Sequence, residues 1–124
     1  MSMTGVGIDI IEITRVARAC RGSRFRARVF TPRERDYIAA NPRNADGRAA
    51  GIFAAKEALA KALGCGLSFA FLQHAEMRHD ANGAPYFVLS GDLADAYGAL
   101  SIKLSISHCR THATAIVICE EAES

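Results

Sequence analysis

Hydrophobic and polar positions alternate first near the start of the chain. In Gly5-Val6-Gly7-Ile8-Asp9-Ile10-Ile11, Ile8 and Ile10 share one side and Asp9 takes the other, which predicts a short strand. The period then lengthens. Ile13, Val16, Ala17 and Cys20 form an apolar stripe at helical spacing, with Arg15, Arg18 and Arg21 on the opposite face. Thr31-Pro32-Arg33-Glu34 reads as a helix start: Thr31 can cap, Pro32 suits the first helical position, and Glu34 completes a capping box. That helix is expected to run to Ala40 and stop at Asn41-Pro42, with 41–48 as a loop. A helix over 49–63 gives the strongest signal, rich in alanine and leucine and ended by Gly64. Ile52, Ala55, Leu59, Ala62 and Leu63 make its apolar stripe, while Phe53, Glu57 and Lys61 follow another line at four-residue spacing. Lys56 lies at the stripe's edge, where its stem would snorkel toward water.

The second half is more strand-like. Residues 67–73 are apolar and fit a loop or a strand. Asn82-Gly83 is a hairpin turn between strands expected over 75–79 and 86–89. Ser90 is placed to cap a short helix over 91–100. Residues 103–108 alternate, with Leu104, Ile106 and His108 on one face, and 113–119 are nearly all apolar, as in a strand buried on both sides. Strands and helices mix without regular βαβ alternation. The expected class is therefore α+β, an antiparallel sheet packed with helices in a single domain over 1–124.

Composition narrows the function classes. Half the residues are hydrophobic and 23% are charged, which excludes a disordered or fibrous chain. No apolar run approaches the roughly 20 residues of a membrane helix. The first nine residues show no signal-peptide pattern, so a cytoplasmic location is expected. The net charge of +2 hides an asymmetry: residues 1–62 hold 12 Lys and Arg against 6 Asp and Glu, and residues 63–124 hold 3 against 7. Eight arginines fall between Arg15 and Arg35, which fits a solvated basic face or an anionic partner. Nucleic acid is the weaker partner, because the chain has few aromatics and no tryptophan to interleave with the arginines. Cys20, Cys65, Cys109 and Cys119 show no zinc spacing and are expected as free, buried thiols.

Candidate chemistry gathers at four positions. A carboxylate in the apolar first strand, Asp9, needs a partner or a solvent-facing side; as a hard oxygen ligand it also suits Mg²⁺. Glu57 and Lys61 are either an ordinary helix pair or a carboxylate and an ammonium serving a metal and a phosphate. His108 is either a core or rim histidine or a catalytic one, and Cys109 beside it points to the opposite face. No P-loop or dinucleotide fingerprint is present.

Three segments taken together, Gly7-Ile8-Asp9-Ile10, then Phe53-Ala54-Ala55-Lys56-Glu57-Ala58-Leu59-Ala60-Lys61-Ala62-Leu63-Gly64, then Leu104-Ser105-Ile106-Ser107-His108, resemble the holo-acyl-carrier-protein synthase family, the short 4′-phosphopantetheinyl transferases. The resemblance covers nearly the whole chain, including Thr31 and the Asn82-Gly83-Ala84-Pro85 turn. It implies transfer of the phosphopantetheine arm of coenzyme A to a serine of an acyl carrier protein, with release of adenosine 3′,5′-bisphosphate. It implies a homotrimer with an active site in each cleft between subunits. By the same resemblance Asp9 and Glu57 would hold Mg²⁺ against the pyrophosphate, and Lys61 would neutralise or protonate the departing phosphate. His108 would lie near the 3′-phosphate, and Gly83 and Pro85 near the adenine. Arg15, Arg24 and Phe25 match positions that would dock the acidic carrier protein. The family often has arginine just before the Phe53 position, where this chain has Ile52; that phosphate contact is then either missing or supplied by Arg43, Arg48 or Arg110. The same departure motivates a second reading, a non-catalytic module that binds coenzyme A or an acidic carrier.

Overall fold

The computed structural model describes residues 2–122. Its elements are β1 (Met3–Glu12), α1 (Ile13–Ala19), α2 (Ser23–Val29), α3 (Pro32–Ala39), a 3₁₀ turn (Pro42–Asn44), α4 (Ala45–Leu63), α5 (Phe69–His74), β2 (Ala75–His79), β3 (Pro85–Leu89), α6 (Gly91–Tyr97), β4 (Leu100–His108) and β5 (His112–Glu121). The class is α+β, as expected. β1, β5 and β4 form an antiparallel sheet in that order, and β2 and β3 form a separate hairpin.

Alanine decides how the core is built. Ala50, Ala54, Ala55 and Ala58 of α4 are fully buried, and so is Ala113 of β5. Side chains this small let the helix lie close on the sheet. Gly5 and Gly7 of β1 go further: a Cβ at Gly7 would collide with the carbonyl oxygen of Ala58, and one at Gly5 with that of Ala62. Only glycine permits this approach of strand and helix backbones. Gly64, at φ 73°, ends α4 in the left-handed conformation that its sequence position suggested.

Among the described residues every buried side-chain nitrogen and oxygen has a hydrogen-bond partner. The Thr31 cap forms as read: Glu34 N donates to Thr31 Oγ1 at 3.2 Å, and Thr31 N donates to Glu34 Oε1 at 2.8 Å. Lys56 does not snorkel. It is completely buried, and its ammonium donates to Glu34 Oε1 at 2.6 Å, the Val29 carbonyl at 2.8 Å and the Leu72 carbonyl at 2.6 Å. Glu34 Oε2 accepts from Met77 N at 2.7 Å. One ion pair thus ties α4 to α3, β2 and the ends of α2 and α5. Burial pushes the Lys56 pKa down, and Glu34 opposes that shift.

Several boundaries differ from the pattern's reading. The expected loop over 41–48 is shorter, because Ala45 to Arg48 already belong to α4. Residues 23–29 and 69–74 are helices; Ser68 Oγ caps the latter by accepting from Phe71 N at 3.0 Å. Ser90 makes no such cap, since its hydroxyl bonds His74 Nδ1 at 2.7 Å, and α6 ends at Tyr97. β5 is buried on one face only: Ala113, Ala115, Val117 and Cys119 point inward, while Ile116 is exposed. Val6, Ile8 and Ile10 of β1 are exposed on the outer face too, Ile8 and Ile10 at 62% and 68%. Of the four free cysteines only Cys119 is buried; Cys109 is exposed.

Candidate active site

Sheet register and helix phase bring Asp9, Glu57 and Lys61 together. Asp9 sits opposite Ala115 in the β1–β5 ladder, and Thr114 Oγ1 donates to the Asp9 carbonyl at 2.8 Å. The Asp9 side chain therefore turns from the exposed isoleucine face toward α4. There Lys61 Nζ donates to Asp9 Oδ1 at 3.2 Å and to the Ile8 carbonyl at 3.1 Å. Glu57, one turn before Lys61, shares a cavity of about 430 Å³ with Asp9, Arg15, Phe25 and Phe53. Burial pushes the Glu57 carboxyl above the usual carboxylate range, and the Asp9 charge adds to that; Lys61 and Arg15 pull it down. Two carboxylates facing one another beside a lysine and an arginine make a site that would welcome a cation and an anion together.

Phe25 reaches this cavity because it is packed edge-on against Phe53, with ring centroids 5.8 Å apart. It holds α2 to α4 as well as lining the cleft. Arg15 and Arg24 are exposed; Arg24 lines neither cavity.

The residues expected at the nucleotide lie elsewhere. Arg48, Gly83, Pro85 and His108 line a second, larger cleft of about 960 Å³, with Arg43 and Arg110. The two clefts share no lining residue. Gly83 takes its turn conformation at φ 84°, where the hairpin brings it to the cleft. Cys109 lies at the same cleft, just past the end of β4, its thiol pKa lowered to about 7 by the Thr111 hydroxyl and by backbone donors. Tyr37 and His79, which the pattern did not single out, also line this cleft. Their rings stack at 4.1 Å, and burial together with the Arg48 charge pushes the His79 pKa down. Only their meeting across α3 and β2 marks them, and no spacing in the sequence announces it.

Ile52 is buried at 2% exposure, so it contributes wall rather than charge. Among the described residues no cluster of three or more His, Cys, Asp and Glu gathers at one place. The Asp9–Glu57 pair is the acidic grouping that fits a metal requiring one or two protein carboxylates.

Comparison with known proteins follows the same outline. Residues 5–117 match the 4′-phosphopantetheinyl transferase superfamily. The chain is 46% identical over 122 residues to a holo-[acyl-carrier-protein] synthase of Solidesulfovibrio magneticus, covering 94% of this chain and 97% of that one. It is 42% identical over 120 residues to one of Clostridium acetobutylicum, covering 94% and 96%. Among solved structures it resembles the Bacillus anthracis holo-(acyl-carrier-protein) synthase in complex with CoA (3′,5′-ADP), with a TM-score of 0.81 and 33% identity over 97% of this chain and 98% of that one. It also resembles the Chronobacterium ammoniagenes ACPS–CoA complex, with a TM-score of 0.85 and 28% identity over 99% and 100%.

Proposed function

Given that this chain belongs to the 4′-phosphopantetheinyl transferase superfamily, we propose that it moves 4′-phosphopantetheine from coenzyme A to a serine hydroxyl of an acyl carrier protein, releasing adenosine 3′,5′-bisphosphate. The observation that carries this reading is the Asp9–Glu57–Lys61 grouping: two carboxylates from two elements on one cleft, with the Lys61 ammonium bonded to Asp9. Phosphoryl transfer asks mainly for positioning and charge stabilisation, which such a grouping can give.

Each side chain then has a distinct task. Lys61, 58% exposed and already drawn to Asp9, is free to face the departing phosphate and offset its growing charge. Glu57 is the candidate base for the serine hydroxyl, directly or through a water. Asp9 and Glu57 fit Mg²⁺ as a pair of hard oxygen donors. When bound, that ion would neutralise pyrophosphate oxygens. The exposed arginines Arg15 and Arg24, with Phe25 behind them, would meet the acidic surface of the carrier protein. Arg48, His108, Gly83 and Pro85 would take the nucleotide end of coenzyme A.

The division of these residues between two clefts favours a site completed by a second copy of the chain. The apolar outer face of the sheet, with Val6, Ile8, Ile10 and Ile116 exposed, supports self-association. Three copies is the number the resemblance implies. The deciding experiment is the intact mass of an apo acyl carrier protein after incubation with this protein, coenzyme A and Mg²⁺. A gain of one phosphopantetheine that EDTA abolishes is the expected result. No gain, alongside measurable binding of coenzyme A, would favour the non-catalytic module instead.

A further inference from the structure

Arg48 stands one helical turn before Ile52 on α4, and the two line the same cleft. Its guanidinium is not loose. The central carbon lies 4.0 Å from the centroid of the Tyr37 ring, and Nη1 donates to the Tyr37 carbonyl at 2.6 Å. The His79 ring stacks on the same tyrosine, with centroids 4.1 Å apart and planes 16° from parallel. Arginine and histidine thus both pack on the one tyrosine ring.

The cleft around this stack is electropositive. Arg43, Arg48 and Arg110 line it against the single carboxylate of Asp46. Among the described residues none of these three arginines is in an ion pair. A guanidinium that is held in place yet lacks a carboxylate has its strongest donors directed at whatever anion enters. Planar, forked donors suit a phosphate, and an arginine ordered in advance loses less freedom when one binds.

We infer that Tyr37 is a positioning residue: it fixes Arg48 in the cleft wall as the guanidinium that takes a phosphate of coenzyme A, in place of a cation at Ile52. The inference rests on the transferase reading for its ligand. It assigns a role to Tyr37, and to His79 as the ring stacked on it.

The test is titration of the intact protein with 3′,5′-ADP by calorimetry, beside steady-state transfer kinetics. Tyr37→Leu is expected to weaken nucleotide binding about tenfold, the loss typical of a removed cation–π partner in a partly buried site. It should raise the KM for coenzyme A and leave the KM for the carrier protein in place, a split that a general loss of structure would not produce. Tyr37→Phe keeps the ring and should restore wild-type binding, since the ring face and the backbone carbonyl are what Arg48 touches. Tyr37→Leu combined with Arg48→Ala should bind no more weakly than Arg48→Ala alone. If Tyr37→Leu does not fold, Arg48→Lys decides: it keeps the charge, loses the planar stacking, and should also bind about tenfold more weakly. Wild-type binding by Tyr37→Leu or by Arg48→Lys, or a Tyr37 effect fully additive with that of Arg48, would overturn the inference while leaving the transferase intact. Nucleotide binding that follows the expected pattern in a protein that modifies no carrier would retain the inference as to the phosphate site and reject the transferase.

Discussion

Burial and the Asp9 carboxylate push the Glu57 pKa up, and Lys61 and Arg15 pull it down, so its charge is set by the groups gathered around Asp9. Glu57→Gln is expected to lower turnover by about 100-fold or more, the usual cost of a lost general base, while Mg²⁺ and coenzyme A still bind; unchanged turnover in the mass assay would assign the base elsewhere. Arg15→Glu should raise the KM for carrier protein far more than that for coenzyme A, and equal effects on both would contradict docking at this face. His79 gives a prediction with a sign. Burial first and the Arg48 charge second hold its pKa below 6.5, with Asp80 opposing. The unfolded chain therefore takes up a proton before the folded one does. Stability tied to neutral His79 is present above that ordinary value and is lost as pH falls through the window beneath it. The melting temperature of the wild type should drop between about pH 7 and about pH 5 more than that of His79→Leu, and equal drops would refute the assignment. Asp9 was singled out because a carboxylate in an apolar strand is a local anomaly, whereas Glu57 and Lys61, by spacing alone an ordinary helix pair, were tied to it by the family resemblance. Arg48 was named with Arg43 and Arg110 for a phosphate contact, but Tyr37 and His79 were not, because their significance arises only when three separate elements meet.

At the level of elements, the Lys56–Glu34 pair is the joint of the helical layer. Lys56→Met would leave Glu34 buried without its cation, and such a loss costs about 3–5 kcal/mol. A melting temperature close to that of wild type would show that the cleft side of α4 is held by packing alone. The sequence announced this helix, its glycine stop and the Thr31 capping box, since each is a short-range signal. It did not announce α2 or α5, which are 7 and 6 residues long. Two turns or fewer cannot establish a periodicity, although Ser68 could have been recognised as a cap. Lys56 was misjudged for a related reason. A lysine at the edge of an apolar stripe normally reaches water, and nothing near it in sequence shows that Glu34 and two carbonyls are waiting inside.

For the whole molecule, the apolar content of β5 promised cover on both faces, and one chain supplies cover for only one of them. Under the proposed self-association, other copies of the chain would cover the second face. Ile10→Lys should shift the solution mass toward that of a single chain and reduce transfer, with the circular dichroism of the fold retained; a fully active single chain would exclude sites shared between copies. The contacts of Gly5 with Ala62 and Gly7 with Ala58 have a further consequence, which concerns length. Two residues of strand advance about 6.6 Å and four residues of helix about 6.0 Å, so the two backbones mesh with nearly matched pitch. Asp9 is the next tooth on the strand. Inserting or deleting one residue between Gly7 and Asp9 would turn the carboxylate to the isoleucine face, whereas the same change in the 80–84 turn would leave Asp9 facing α4. Length variation in this chain should therefore be confined to its turns, with the spacing from Gly5 to Asp9 held as a fixed gauge.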